Sequence, residues 1–185
     1  MFFDNDCQVN TATDIIKYLE LKAHDEGGFY HQIHPVIGKR DESSPSQSQN
    51  GRDFSTIYYM LTAESPFGYL HVNRSDILHF FHHGWSLTYL LIDGDGRLER
   101  KVLGPDVRKG EEPYIFVPGG TWKATVLEHG EYGLLSEVAV PAFDCRDREF
   151  LTVARTQQLF PHLQSTLVPY LRTRETPLNE RHRLS

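Results

Sequence analysis

The sequence predicts an all-β fold, an antiparallel sandwich or barrel, and three observations carry that prediction. Runs rich in β-branched and aromatic residues recur at short intervals between Ser55 and Val140. Glycine and proline punctuate them, and no helical pattern separates one run from the next, which argues against a doubly wound parallel sheet. A chain of 185 residues with 39% hydrophobic content supports one domain with a full core and is short for two. We expect a single domain over 1–185, its barrel within about 25–150 and a helical, flexible tail over 151–185.

At the N-terminal end, Ala12, Ile15, Ile16 and Leu19 recur at helical spacing behind Thr11, and Thr11 or Thr13 can cap the helix they predict. That helix should pack outside a sheet. The stretch from Lys39 to Asp53, KRDESSPSQSQNGRD, has almost no apolar residue to offset the entropy of ordering it, and predicts a mobile loop or lid. STIYYML, Ser55 to Leu61, reads as a strand, and ESPFG after it as a bend. Further strands are expected around Leu78 to Phe81, then at Leu87 to Ile92, Leu98 to Leu103, Tyr114 to Val117, Lys123 to Leu127 and Gly133 to Val140. DGDG, Asp93 to Gly96, signals a hairpin between two of them. Beyond Phe143, Leu159, Leu163 and Leu167 stand four residues apart, which predicts helical segments interrupted by Pro161 and Pro169. The final dozen residues are expected to fray.

Composition excludes several function classes. The formal net charge is −6, and basic residues cluster only in RTRETPLNERHR near the C-terminus, so no basic stripe is available to neutralise nucleic-acid phosphates. No apolar run approaches the length of a bilayer span, and MFFDNDCQVN carries acidic residues where a signal peptide carries basic ones. The expectation is a cytoplasmic protein with no membrane partner. Cys7 and Cys145 have neither CxxC nor metal-type spacing and read as free thiols. No GxSxG elbow, Walker-type loop, GxGxxG turn or HExxH segment is present, which sets aside hydrolase, kinase and dehydrogenase readings.

Three segments, HDEGGFYHQIHP, GYLHVNRSDILHFFHHG and FVPGGTWKA, occur in that order, joined by STIYYML and SEVAVPAFD. Together they resemble the small single-domain branch of the cupin superfamily, cupin-5-like, whose members carry EGGYF-like, STAIYFLL-like and VPAGxWxA-like segments. The resemblance runs from about Leu19 to Phe150. It implies an all-β cupin (RmlC-like) jelly-roll β-barrel with an N-terminal helix and C-terminal helical segments, and a homodimer. The branch is largely uncharacterised and includes a metal-independent nucleoside-aldehyde dehydratase, a precedent for acid/base lyase chemistry. Against the usual cupin layout, His71 takes the first His of the first motif, Asn73 the second His, Ile77 the Glu and Gly84 the closing Gly. In the second motif Pro118 and Gly120 are in place, while Lys123, or Trp122 if the register slips by one, stands at the ligand His. A transition-metal centre needs about three converging protein ligands. The expectation is therefore no metal and no cofactor. A rival ligand set would join His71 to His79 and His82 or His83, but strand alternation puts His79 and Phe81 on one face and His82 on the other.

Without a metal, proton transfer falls to side chains. His71 is the leading candidate, since imidazole serves as acid or base near neutral pH; the alternative is a vestigial ligand held by a neighbour. Glu137 is the second, sharing a strand face with Leu135 and Ala139, either inward, where a carboxylate must be paired, protonated or functional, or outward at the surface. His71 would move the proton, and Glu137 would orient it or act as the complementary acid. Substrate contacts are expected from Phe29, His31, Tyr59, Asn73, His79, Trp85 and Trp122, with Tyr59, Trp85 and Trp122 as an aromatic wall and His31 matching a polar pocket position of the resembling family. Ordinary core packing is the alternative for the aromatic members. The function these readings favour is a lyase or isomerase that dehydrates, isomerises, epimerises or cyclises a small oxygenated molecule. The alternatives are a barrel that binds a small ligand without changing it, and a metal-dependent cupin oxygenase or isomerase with atypical ligands.

Overall fold

Thr11 caps the first helix, α1 (Ala12–Tyr18), by a reciprocal arrangement: its hydroxyl accepts from the Asp14 amide while the Asp14 carboxylate accepts from the Thr11 amide. The computed structural model describes residues 11–33 and 54–172. The polar segment at Lys39 to Asp53, Cys7 and the final dozen residues lie outside them. Ala12 and Ile15 of α1 pack on Met60, Tyr132 and Leu134, so the helix covers a sheet from outside, as its apolar spacing predicts.

The described strands form two antiparallel sheets. One has the order β1 (Lys22–Ala23), β2 (Phe29–Ile33), β3 (Ser55–Thr62), β10 (Tyr132–Val140), β5 (Asp76–Gly84) and β8 (Tyr114–Val117). The other runs β11 (Glu149–Phe150), β4 (Phe67–Val72), β9 (Trp122–Val126), β6 (Leu87–Ile92) and β7 (Leu98–Leu103). Consecutive strands repeatedly change sheet, which closes the two layers face to face as a jelly roll. Alternate residues point inward: Tyr59 and Leu61, Leu87 and Tyr89, Ile115 and Val117, and Leu135 meet between the sheets. DGDG joins β6 to β7, with Gly96 at φ +77° where a side chain would be strained.

The first residues of β4 read as a bend in the sequence because Gly68 is a turn residue by propensity. Its reason is a close approach. A Cβ at Gly68 would sit 2.7 Å from the Tyr59 hydroxyl. Two-residue β1 and β11 are too short to carry a pattern.

Beyond the barrel, α2 (Val153–Leu159) and α3 (Gln164–Leu167) are separated and followed by short 3₁₀ turns, Pro161–Leu163 and Val168–Tyr170, each built around one of the two prolines. This segment is packed rather than loose: Leu151, Phe160, Leu167 and Leu171 bury the outer face of the five-stranded sheet at Leu70, Leu90, Ile92 and Ala124. Among the described residues no helix is long and apolar enough to cross a membrane.

Candidate functional site

The glycine pair of HDEGG builds the site. His24 and Gly28 close a tight turn, the His24 amide donating to Gly28 O at 3.0 Å, with Gly27 at φ +94° and Gly28 at φ +66°. Two clamps hold it: the Tyr59 hydroxyl donates to Gly27 O at 2.9 Å, and the Tyr69 amide donates to Glu26 O at 2.6 Å. The turn drives the Glu26 carboxylate into the barrel, where the residue is 6% exposed.

There Glu26 meets His71 of β4. The His71 ring places Nδ1 2.7 Å from Tyr69 O; a carbonyl oxygen only accepts, so Nδ1 carries a proton, and in the neutral ring that burial favours Nε2 is bare. Nε2 lies 3.2 Å from Glu26 Oε2, off the line of a hydrogen bond, and has no hydrogen-bond partner among the described residues. Burial pulls His71 down to about 4, with the Glu26 charge opposing it. Burial alone would raise the Glu26 carboxyl, but His71, His24 and Lys123 outweigh it and hold it at about 2.

A second charged group stands across the interior. Strand register sets Lys123 of β9 opposite His71 of β4, and Glu137 of β10 opposite His79 of β5. Lys123 Nζ reaches Glu137 Oε2 at 3.5 Å, and His79 Nδ1 lies 3.3 Å from Glu137 Oε1 and 3.0 Å from the Tyr89 hydroxyl. The ion pair therefore ties one sheet to the other. Burial opposes ionisation of Glu137, yet Lys123 and His79 hold its carboxyl well below the usual carboxylate range. Burial, with Lys123 beside it, lowers His79 as well.

Glu26, Glu137, Asn73 and Arg148 share a cavity of about 250 Å³ whose lining also includes Tyr30, Gln32, Ile57, Ile77, Phe143 and Cys145. Arg148 directs Nη1 to Glu26 Oε1 at 3.1 Å and Nη2 to Asp25 Oδ2 at 3.3 Å, and its guanidinium lies 4.8 Å from the Phe150 ring centre. Asn73 Oδ1 is buried without a hydrogen-bond partner among the described residues.

Of the residues singled out in the sequence, His71, Glu137, Asn73, His79 and Tyr59 come together in the interior. Glu137 does not orient His71; Glu26 stands there instead, and Glu137 belongs to Lys123 and His79. Tyr59 is a clamp on the glycine turn and a core residue rather than a wall. Phe29 and His31 turn away from the cavity, because the pleat of β2 directs Tyr30 and Gln32 toward it. Phe29 packs under α1, and His31 Nδ1 meets Glu20 O at 3.2 Å. Trp85 is 55% exposed, in the turn after β5. Trp122 faces outward against Phe160, because the register of β9 sends Lys123 inward. Sequence reasoning passed over Glu26 and Arg148. Glu26 had a signal, an acid directly before two glycines; Arg148 had none, since its partners lie 122 and 123 residues away.

Two facing antiparallel sheets closed over a charged interior define a jelly-roll barrel of cupin type. The chain belongs to the cupin superfamily: the Cupin-5 family, described as Cupin superfamily (DUF985), matches residues 13–151. An uncharacterized protein of Saccharomyces cerevisiae, YML079W, is 35% identical over 153 residues, covering 77% of this chain and 76% of its own. Among solved structures, a hypothetical protein from Leishmania major is 29% identical at a TM-score of 0.77, covering 89% of this chain and 100% of that one. Protein SO0799 from Shewanella oneidensis is 28% identical at a TM-score of 0.76, covering 88% and 98%. An oxalate decarboxylase from Bacillus subtilis shares the fold alone, at 13% identity and a TM-score of 0.50 over 80% of this chain and 36% of that one.

Proposed function

We propose that this chain is a metal-independent enzyme that moves a proton on a small oxygenated molecule in the barrel, as dehydration, isomerisation, epimerisation or cyclisation requires. The observation that carries it is the bare Nε2 of His71, its tautomer fixed by Tyr69 O, set 3.2 Å from a carboxylate on the cavity wall. Glu26 faces the substrate and accepts its proton. That proton passes to His71, whose unpartnered Nε2 lies 3.2 Å from Glu26 Oε2. Glu137, also on the wall, is the second carboxylate within reach of the same molecule. The residues at the family's ligand positions support the metal-free part of the reading. Lys123 offers an ammonium with no lone pair, already paired with Glu137, and Ile77 offers an alkyl group. Among the described residues no group of three or more His, Cys, Asp or Glu side chains is placed to hold a metal ion.

The reading is tested by solvent deuterium exchange. Small hydroxyaldehydes, hydroxyketones and sugars are incubated with the protein in D2O, and loss of C–H signal is followed by proton NMR. Exchange by the wild type that disappears in Glu26→Gln, while folding is retained, is expected; no exchange across the panel overturns the reading.

A second reading, a barrel that binds without transforming, is favoured by one observation: each wall carboxylate is paired with a cation, Glu137 with Lys123 at 3.5 Å and Glu26 with Arg148 at 3.1 Å, which weakens both as bases. Ligand retention with no exchange selects it.

We also propose a homodimer formed through the outer face of the six-stranded sheet. Tyr114 and Phe116 on the edge strand β8 are 41% and 44% exposed, and register continues their rows through Leu78, Phe80, Ser136 and Val138 without a charge. These two uncharged rows, flanked on the same face of β5 by Asp76 and His82, are complementary to a second copy of themselves. Light scattering should give two chains per particle for the wild type and one for Phe116→Glu; a monomeric wild type overturns the proposal.

A further inference from the structure

We infer that the cavity selects an uncharged, hydroxyl-rich molecule of about monosaccharide size and turns anions away; the inference rests on the cavity being the functional site. The buried part of the lining offers unfilled or anionic acceptors, while His24, Tyr30, Gln32 and Ser55 add side chains that can donate as well as accept, as a hydroxyl-bearing ligand also does. Glu26 and Glu137 present carboxylates to the cavity, and Asn73, only 7% exposed, turns Oδ1 to no partner among the described residues. A buried acceptor of this kind is costly until a donor reaches it. Hydroxyl groups supply such donors; carboxylates and phosphates at neutral pH do not.

The cations nearby are already engaged. Arg148 lines the cavity, but its two terminal nitrogens are directed to Glu26 and Asp25, and its face is set against Phe150. Lys123 is bound to Glu137. An anionic ligand would meet three carboxylates, Asp25, Glu26 and Glu137, on the lining against one guanidinium held by two of them. Ile57, Ile77 and Phe143 give the same cavity an apolar part, which suits the C–H face of a ring that carries hydroxyls on its rim. A volume of about 250 Å³ admits one such ring and little more.

The test uses the wild-type protein and three sugars alike in size: D-glucose, D-glucosamine and D-glucuronate, with affinity read by saturation-transfer NMR and calorimetry. Glucose should bind, glucosamine should bind at least as tightly, and glucuronate should bind at least about tenfold more weakly, as a like charge against the lining requires. Asn73→Leu, which removes the unpartnered acceptor without adding charge, should weaken glucose about fivefold. Glucuronate binding as tightly as glucose, failure of glucose to bind, or an unchanged affinity in Asn73→Leu overturns the inference. The outcome is separable from that of the exchange experiment: a barrel that binds glucose but exchanges no C–H keeps the ligand class and loses the chemistry. Exchange confined to acidic sugars does the reverse.

Discussion

Leu135 and Glu137 sit two residues apart on one face of β10, and the regions around them are opposites. About Leu135 the interior is hydrocarbon, with Leu87, Leu103 and Ile115 fully buried. About Glu137 it holds Lys123, His79, His71 and Glu26, all buried and all polar or charged. The same pleat and the same two sheets support both. Burying ionised groups costs several kcal/mol each by general experience, and good pairing at best offsets it, whereas aliphatic packing is favourable outright. A fold in need of stability alone would have continued the Leu135 pattern. On the proposed function the polar end is where stability and activity diverge, and substitutions at the two ends should separate them.

The largest effect is expected at Lys123. Lys123→Met leaves Glu137 as a buried carboxylate with its main counter-charge gone, and should lower stability by about 4 kcal/mol. Chemical denaturation gives the value; a loss below about 1 kcal/mol would mean that water reaches Glu137 and that the contrast between the two ends is overstated. Next is Leu135→Ala, which opens a cavity in the hydrocarbon end and should cost about 3 kcal/mol. Its deuterium exchange and sugar affinity, measured well below the melting temperature, should match those of the wild type. A parallel loss of both would join the two regions that the comparison separates.

The hydrocarbon end is also the part that was legible in the sequence. Leu87 to Ile92, Leu98 to Leu103 and Tyr114 to Val117 are strands with the expected bounds, because β-branched and aromatic runs between turn residues report a pleated, buried surface directly. The motif spacing fixed which residues stand at the ligand positions, and Lys123 rather than Trp122 proves to be the inward one. Partner choice was not legible. Glu26 reaches His71 through a turn whose conformation depends on Gly27 and Gly28, and Arg148 reaches Glu26 by closure of the whole barrel. Neither contact has a local pattern. The inward set of β2 depends on whether Phe29 or Tyr30 faces the cavity, a one-residue question of register that α1 decides by covering Phe29.

The polar end should also make the fold sensitive to acid, with a sign that follows from its depressed groups. His71 titrates near 4 in the folded chain against an ordinary 6.5, so its contribution is complete above pH 6.5 and is lost as pH falls through about 4. Glu26 titrates near 2 against an ordinary 4.5, so its contribution is complete above pH 4.5 and is lost as pH falls through about 2. In both windows the unfolded chain binds more protons. Melting temperature should fall continuously from pH 6.5 downward, and Glu26→Gln should flatten the lower part of that fall. A stability unchanged between pH 7 and pH 3 would show that these groups are not held as the geometry requires.

The smallest change in stability, and the sharpest use of the comparison, comes from making the polar end resemble the other. In Lys123→Met combined with Glu137→Leu, both members of the ion pair are replaced by hydrocarbon of similar length, while His79 keeps the Tyr89 hydroxyl as partner. Removing one partner strands the other, but removing both ends the cost of burying charge, so the double variant should return to within about 1 kcal/mol of the wild type. Its double-mutant cycle should therefore show strong coupling. Deuterium exchange and glucose binding should both be lost, since one wall carboxylate and its counter-ion are gone. Recovered stability without function would place the pair's purpose in the ligand rather than in the fold. A double variant as unstable as Lys123→Met alone would instead make the pair a structural tie between the two sheets, and the difference between the two ends would then be one of chemistry but not of role.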